Sequence, residues 1–139
     1  MNDVVVSKIA SLQRCIQRAR EEHAASAGAF ASDLTRQDAA VLNVTRACEL
    51  AIDLANHTIK VRRLGIPADS RESFERLVEA GLLPRPLGDR LKAMVGFRNV
   101  AVHDYRTLDV GIAERVIVDG LDDLLALGDR LRKELAAEG

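Results

Sequence analysis

Apolar residues recur every three or four positions over most of the chain, which is the spacing of helices that bury one face. A first helix is predicted from about Val4 to Ala27. A second is predicted from Thr35, as its N-cap, to about Arg63, with Asp38 in the first turn where its charge suits the helix dipole. The second helix is apolar nearly all round, so it is either the central helix or faces both the core and a partner chain.

One polar stripe interrupts this second helix. It follows three- and four-residue steps through Asn43, Arg46, Glu49, Asp53, Asn56 or His57, and Lys60. The stripe alone favours a solvated face. It is also compatible with the polar wall of a cleft, because a helix this apolar should keep little free surface.

The rest of the chain adds shorter helices. One is predicted between Ser70, as its cap, and Gly81, and a fourth follows it. A terminal helical stretch reaches about Ala136, with a break or kink at Asp119-Gly120. Because the loops are short, we predict an all-α, antiparallel bundle of roughly four or five helices, forming a single domain over residues 1–139.

Composition and charge exclude several classes of function. The net charge of −1 does not support generic nucleic-acid binding, so any contact with RNA must come from a local patch. Cys15 and Cys48 are predicted to be buried free thiols in a reducing cytosol, since neither has metal-ligand spacing to a His or to the other. No segment has the length and hydropathy of a membrane span. We therefore expect a cytoplasmic protein with no metal and no cofactor.

Chemically diverse side chains are concentrated in residues 98–105, Arg98-Asn99-Val100-Ala101-Val102-His103-Asp104-Tyr105. Arg98 can bind a phosphate with two parallel hydrogen bonds, and His103 can exchange protons near neutral pH. Together they suit metal-free cleavage of a phosphodiester, with His103 moving a proton at a ribose hydroxyl and Arg98 stabilising charge on phosphorus.

The neighbours of this pair have open roles. Asn99 lies one turn from His103 and can orient it through a hydrogen bond. Asp104 either tunes the pKa of His103 or caps a helix end. Tyr105, the single tyrosine of the chain, is a hydrogen-bond donor, a stacking surface for a base, or a nucleophile that accepts a group from a partner.

Helical geometry raises a difficulty for one small pocket. Arg98 and His103 are five residues apart, so about 140° separates them around an ideal helix. The helix can end near His103 and let Tyr105 turn back, or the long side chain of Arg98 can wrap round. Alternatively, two chains share the pocket across a two-fold axis, which agrees best with the apolar second helix.

These residues resemble a known motif. The pattern Arg-x4-His-x-Tyr at Arg98, His103 and Tyr105 is similar to that of HEPN domains, and nearly the whole chain resembles the HepT family within them. The segments that carry the narrower resemblance are residues 1–3, 51–57, 64–67, 70–74 and 94–105.

The resemblance implies a HEPN bundle that forms a homodimer, with the motif cleft at the interface. It implies a metal-independent ribonuclease toxin acting on cellular RNA, tRNA or mRNA, with Arg98 and His103 as the catalytic pair. It further implies that an MntA-like nucleotidyltransferase antitoxin transfers AMP to Tyr105 and silences the toxin. Asp53 is outside the family motif and is a candidate only for lining the cleft.

Two other functions fit the same residues. In the first, the protein is a non-catalytic HEPN partner that binds a nucleotide or a nucleotidyltransferase. In the second, it is a structural helical dimer whose motif is only a helix terminus.

Overall fold

The computed structural model describes residues 3–136, and helices make up almost all of this part of the chain. The helices are α1 (Asp3–Ala25), α2 (Leu34–Arg62), α3 (Ser70–Glu79), α4 (Arg85–His103), α5 (Val110–Arg115) and α6 (Leu121–Ala136). Single 3₁₀ turns lie at Phe30–Ser32 and Tyr105–Thr107, and a π-helical segment occupies Val116–Gly120. The predicted all-α class is confirmed, and no described residue lies in a strand.

Helix α2 is the central element, which is the first of the two alternatives predicted for it. It packs against α1 along its length and also contacts α3, α4 and α6. Its small and branched apolar residues are fully buried between these neighbours, including Val44, Ala47, Ala51, Leu54 and Ala55. Burial on several sides explains why apolar residues are spread around the helix and are not confined to one stripe.

The start of α2 differs from the prediction. The N-cap is Asp33, whose carboxylate accepts a hydrogen bond from the backbone N–H of Arg36 at 3.0 Å. The prediction of Thr35 as the cap is therefore wrong, because an aspartate two residues earlier already accepts an amide hydrogen of the first turn. As a consequence, Asp38 lies in the second turn of α2, and the prediction that it interacts favourably with the helix dipole in the first turn is wrong.

The start of α3 is shifted in the same manner, whereas α2 ends where it was predicted to end. Asp69 caps α3 by accepting from the N–H of Glu72 at 2.8 Å, so the predicted cap at Ser70 is wrong. Helix α2 ends through Arg63, which adopts a left-handed conformation at φ 55°. In both cases the boundary lies close to the predicted one.

The C-terminal helical stretch changes from α-helical to π-helical geometry where the sequence predicted a break or kink. The π-helical segment ends at Gly120, immediately before α6. A Cβ added at Gly120 would lie 2.9 Å from the terminal methyl of Met94 on α4, so glycine permits this close approach. No helix among residues 3–136 is long and apolar enough to cross a membrane.

Candidate functional site

Arg98 is held between α4 and α2. Its guanidinium donates a hydrogen bond to Asn99 Oδ1 at 3.0 Å and lies 3.5 Å from Glu49 Oε1 on α2. The Arg98 side chain is 26% exposed and the Glu49 side chain 47%. A partly exposed ion pair of this kind contributes little free energy, so a phosphate oxygen can replace Glu49 at small cost.

The Arg98 guanidinium also retains unused hydrogen-bonding capacity. Its Nε is buried and has no hydrogen-bond partner among the described residues. An unsatisfied buried donor typically costs about 1–3 kcal/mol. An added acceptor that draws the guanidinium outward, where Nε can form a hydrogen bond, therefore relieves this cost.

His103 is the last residue of α4 and is exposed. Its imidazole forms no hydrogen bond with any residue in the part of the chain that the structure describes. The predicted hydrogen bond from Asn99 to His103 is not formed; the Asn99 amide oxygen instead accepts one from Arg98. Asn99 therefore orients Arg98 within one chain, and His103 is open to solvent and to a second molecule.

One chain does not bring Arg98 and His103 together. Helix α4 continues to His103, so the two side chains keep their separation of about 140° around the helix. The chain does turn back after His103, but it carries Tyr105 towards α2 and not towards Arg98. The Arg98 side chain reaches Glu49 and does not wrap round to His103.

Tyr105 makes a contact that the sequence did not reveal. Its phenol donates a hydrogen bond to Asp38 Oδ1 at 2.5 Å, although 42% of the residue is exposed. Partial burial, together with the hydrogen bond to and the charge of Asp38, raises the pKa of Tyr105 to about 12. A cavity of about 320 Å³ opens beside the ring, lined by Phe30, Gln37, Val41, Arg106, Leu108, Val110 and Ala113.

The other predicted site residues have different surroundings. Asp104 lies at the C-cap of α4, where its backbone N–H donates to the carbonyl of Val100, and its own carbonyl accepts hydrogen bonds from Thr107. Asp53 is exposed and lies 3.3 Å from Lys8 of α1. On the polar stripe it is Glu49, one turn before Asp53, that pairs with Arg98.

The two cysteines do not add a nucleophile to the site. Cys48 is buried as predicted, and burial raises the pKa of its thiol to about 12. Cys15 is only partly buried, which corrects the prediction for this residue, and burial again raises its pKa. Thiols with raised pKa values carry little thiolate at neutral pH and react slowly.

Comparisons with known proteins show the family of the chain. A family model described as ribonuclease HepT-like matches residues 12–131. The mRNA nuclease HepT of Shewanella oneidensis is 42% identical over 134 residues, which are 96% of this chain and 100% of that protein.

Solved structures extend the similarity to the fold. The tri-AMPylated HEPN toxin of Shewanella oneidensis, in complex with an MNT antitoxin, matches with a TM-score of 0.90 and 42% identity, covering 96% of this chain and 99% of that one. The cytosolic protein YutE of Bacillus subtilis matches with a TM-score of 0.79 over 96% of this chain and 90% of that one. At 19% identity, YutE supports the fold alone.

Proposed function

The chain belongs to the family of HepT-like ribonucleases, and from this premise we propose that it is the toxin of a HEPN/MNT toxin–antitoxin pair. Its activity is metal-independent endonucleolytic cleavage of cellular RNA, tRNA or mRNA. The observation that carries the proposal is the setting of the motif. Arg98 is pre-positioned by Asn99 and a weak ion pair, and His103 is exposed at the end of the same helix. The name of the Shewanella relative makes mRNA the first substrate to test.

The proposed reaction needs only RNA and these two side chains. His103 removes the proton of a ribose 2′-hydroxyl, and the 2′-oxygen attacks the adjacent phosphorus. The bond to the 5′-oxygen breaks, and that oxygen takes up a proton from water as it leaves. Arg98 exchanges Glu49 for the phosphate oxygens and stabilises the charge that develops on them.

The cleft is proposed to lie between two copies of the chain. Val102 is one turn after Arg98, on the same side of α4, and is 45% exposed. A second copy that covers this apolar surface by two-fold symmetry brings its own His103 towards Arg98. Asp53 and Glu49 then line the α2 side of the cleft, and Asn99 and Asp104 support the catalytic pair.

Neutralisation is proposed to occur at Tyr105. An MntA-like nucleotidyltransferase transfers AMP to its phenol, which is exposed two residues after His103. The product places a phosphodiester charge and the bulk of a nucleoside at the motif, where they compete with an RNA phosphate. The related toxin that carries AMP groups in complex with an MNT antitoxin supports this step.

Two variants, compared with wild type and a control, test the nuclease. Wild type, Arg98→Ala and His103→Ala are purified free of antitoxin and assayed on labelled RNA, with Arg132→Ala of the exposed α6 surface as the matched control. Loss of the proton-transfer group is expected to reduce cleavage by about 10²–10⁴-fold. Loss of the charge-stabilising group is expected to reduce it by about 10²–10³-fold.

The same proteins decide between the two functions. A wild-type protein that leaves RNA intact and permits growth, but still binds the antitoxin, supports the non-catalytic partner. With cognate antitoxin and ATP, the mass of wild type should rise by whole AMP units, and Tyr105→Phe should abolish the rise. Modification that persists on the phenylalanine variant contradicts the assignment of Tyr105.

A further inference from the structure

The contact between Tyr105 and Asp38 has a geometry suited to proton transfer. The 3₁₀ turn after α4 holds the phenol 2.5 Å from Asp38 Oδ1, within the range of a charge-assisted hydrogen bond between a hydroxyl and a carboxylate. Asp38 makes no other hydrogen bond or ion pair with a described residue. It is exposed, so a proton that it accepts can pass to solvent.

Helix capping does not explain why a carboxylate occupies position 38. Asp33 already caps α2, and the effect of the helix dipole falls off beyond the first turn. Among the described residues, Asp38 is the charged group whose interaction raises the pKa of the Tyr105 phenol. The contact joins residues that are 67 positions apart, so the tertiary fold, and not local backbone geometry, creates it.

We propose that Asp38 is the general base for the modification of Tyr105: its carboxylate accepts the phenolic proton as AMP is transferred. This inference rests on the proposed function, in which Tyr105 is the acceptor. The phenolic oxygen attacks the α-phosphorus of a nucleoside triphosphate held by the antitoxin. The new O–P bond forms, the bond from the α-phosphorus to the β-phosphate bridge breaks, and pyrophosphate leaves with the electron pair. The proton moves to Asp38 Oδ1.

A built-in base removes a kinetic obstacle. With a pKa of about 12, about one Tyr105 in 10⁵ is ionised at pH 7. A reaction that requires free phenolate is slowed by most of this factor of about 10⁵. Asp38 avoids the loss because the phenol becomes more acidic as its oxygen bonds to phosphorus, so the proton passes to the carboxylate late in the step. An aspartate that accepts a hydroxyl proton in protein kinases follows the same principle.

Substitutions of Asp38 can separate loss of the general base from loss of the hydrogen bond with Tyr105. Asp38→Asn keeps an oxygen that accepts the phenol hydrogen bond but is not a base. Asp38→Ala removes both, and Asp38→Glu restores a carboxylate on a longer side chain. Asp122→Asn is the matched control, because its carboxylate is exposed on α6 and pairs with Arg20, away from Tyr105.

The assay is single-turnover AMP incorporation from labelled ATP, with the cognate antitoxin in excess. The Asn variant should react about 10²–10⁴-fold more slowly than wild type, and its binding to the antitoxin should be unchanged. Its rate should rise about tenfold per pH unit, because it depends on free phenolate. Wild type should show no such rise between neutral pH and pH 9. The Glu variant should recover part of the rate, and the Asp122 control should match wild type.

Two results overturn the inference alone. An Asn variant that reacts at the wild-type rate, with wild type still modified on Tyr105, shows that Asp38 is not the base. An Asn variant that reacts faster shows that Asp38 restrains the phenol. A wild-type protein that takes up no AMP, or a Tyr105→Phe variant that still takes it up, overturns the proposed function as well. Circular dichroism melting of each variant separates a slow reaction from a failure to fold.

Discussion

Heterodimers of inactive chains offer the sharpest test of a site shared between two copies. One chain carries Arg98→Ala and the other His103→Ala, each with a different affinity tag, so that only mixed dimers are purified. If Arg98 of one copy acts with His103 of the other, the mixed dimer contains one intact pair and one pair that lacks both groups. If the pair acts within one chain, both pairs are broken.

The expected RNA-cleavage activities of these dimers differ widely. Each homodimer of a single variant lacks one group at both sites and should fall about 100-fold or more below wild type. The mixed dimer should retain about half of the wild-type activity in the shared arrangement, because one of two symmetric sites is complete. The structure favours this result, since α4 keeps Arg98 and His103 about 140° apart and Arg98 turns to Glu49.

A reciprocal control uses the same assay of RNA cleavage. Wild type is paired with a chain that carries both substitutions. This dimer has no intact pair if the site is shared, and one intact pair if the site lies within a chain. Activity in the reciprocal dimer, together with none in the first mixed dimer, would refute the shared site. The double substitution thus reverses which arrangement, shared or within one chain, is expected to give an active dimer. The purification and the substrate stay the same.

Two further predictions need only the isolated protein. Tyr105 is the single tyrosine and tryptophan is absent, so tyrosinate absorbance titrates this residue alone. The midpoint should lie near pH 12, and it should fall in Asp38→Asn but stay above 10, because burial, the largest cause of the raised pKa, remains. Because the folded pKa is raised, the stability that this contact contributes is present below about pH 10 and is lost as the pH rises towards 12, so an unchanged midpoint in the variant would contradict the role of Asp38. Gly88→Ala should destabilise the fold by about 1–3 kcal/mol in chemical denaturation, because an added Cβ collides with the Val78 side chain where α3 meets α4. Gly96→Ala on the same helix meets only the flexible end of an arginine, so it should cost far less, and equal losses would refute the clash.

The sequence was sufficient for the helical architecture. The period of the apolar residues predicted α1 and α2 nearly to their ends, and the all-round apolar character of α2 predicted its central position. These features are local, because a buried helix face repeats every three or four residues. The cap of α2 was predicted wrongly: Asp33 and Thr35 are both good N-cap residues, and it is Asp33 whose carboxylate accepts the backbone N–H of Arg36.

The candidate site was predictable only in part. The composition of residues 98–105 indicated phosphodiester chemistry, but the partners of those residues come from α2. Glu49 is a member of a stripe that periodicity alone assigns to solvent, and its contact with Arg98 depends on how α4 crosses α2. The partner of Tyr105 was hidden for the same reason, since no local pattern relates positions 67 residues apart.

The contacts of Arg98 and Tyr105 give a physical reason for separating RNA cleavage from its control by AMP transfer. Arg98 is three-quarters covered, whereas Tyr105 lies after the end of α4 and is nearly half exposed. Under the proposed function, a modifying enzyme must reach the acceptor without opening the nuclease cleft, and the 3₁₀ turn after His103 meets this need. Once AMP is attached, the phenolic oxygen has no hydrogen to donate to Asp38. The phosphodiester then faces a carboxylate at short range, and the repulsion between the two anions drives it away from Asp38. The guanidinium of Arg98 is a favourable destination, so the group that accepts the proton also helps to direct the product towards the site that it blocks.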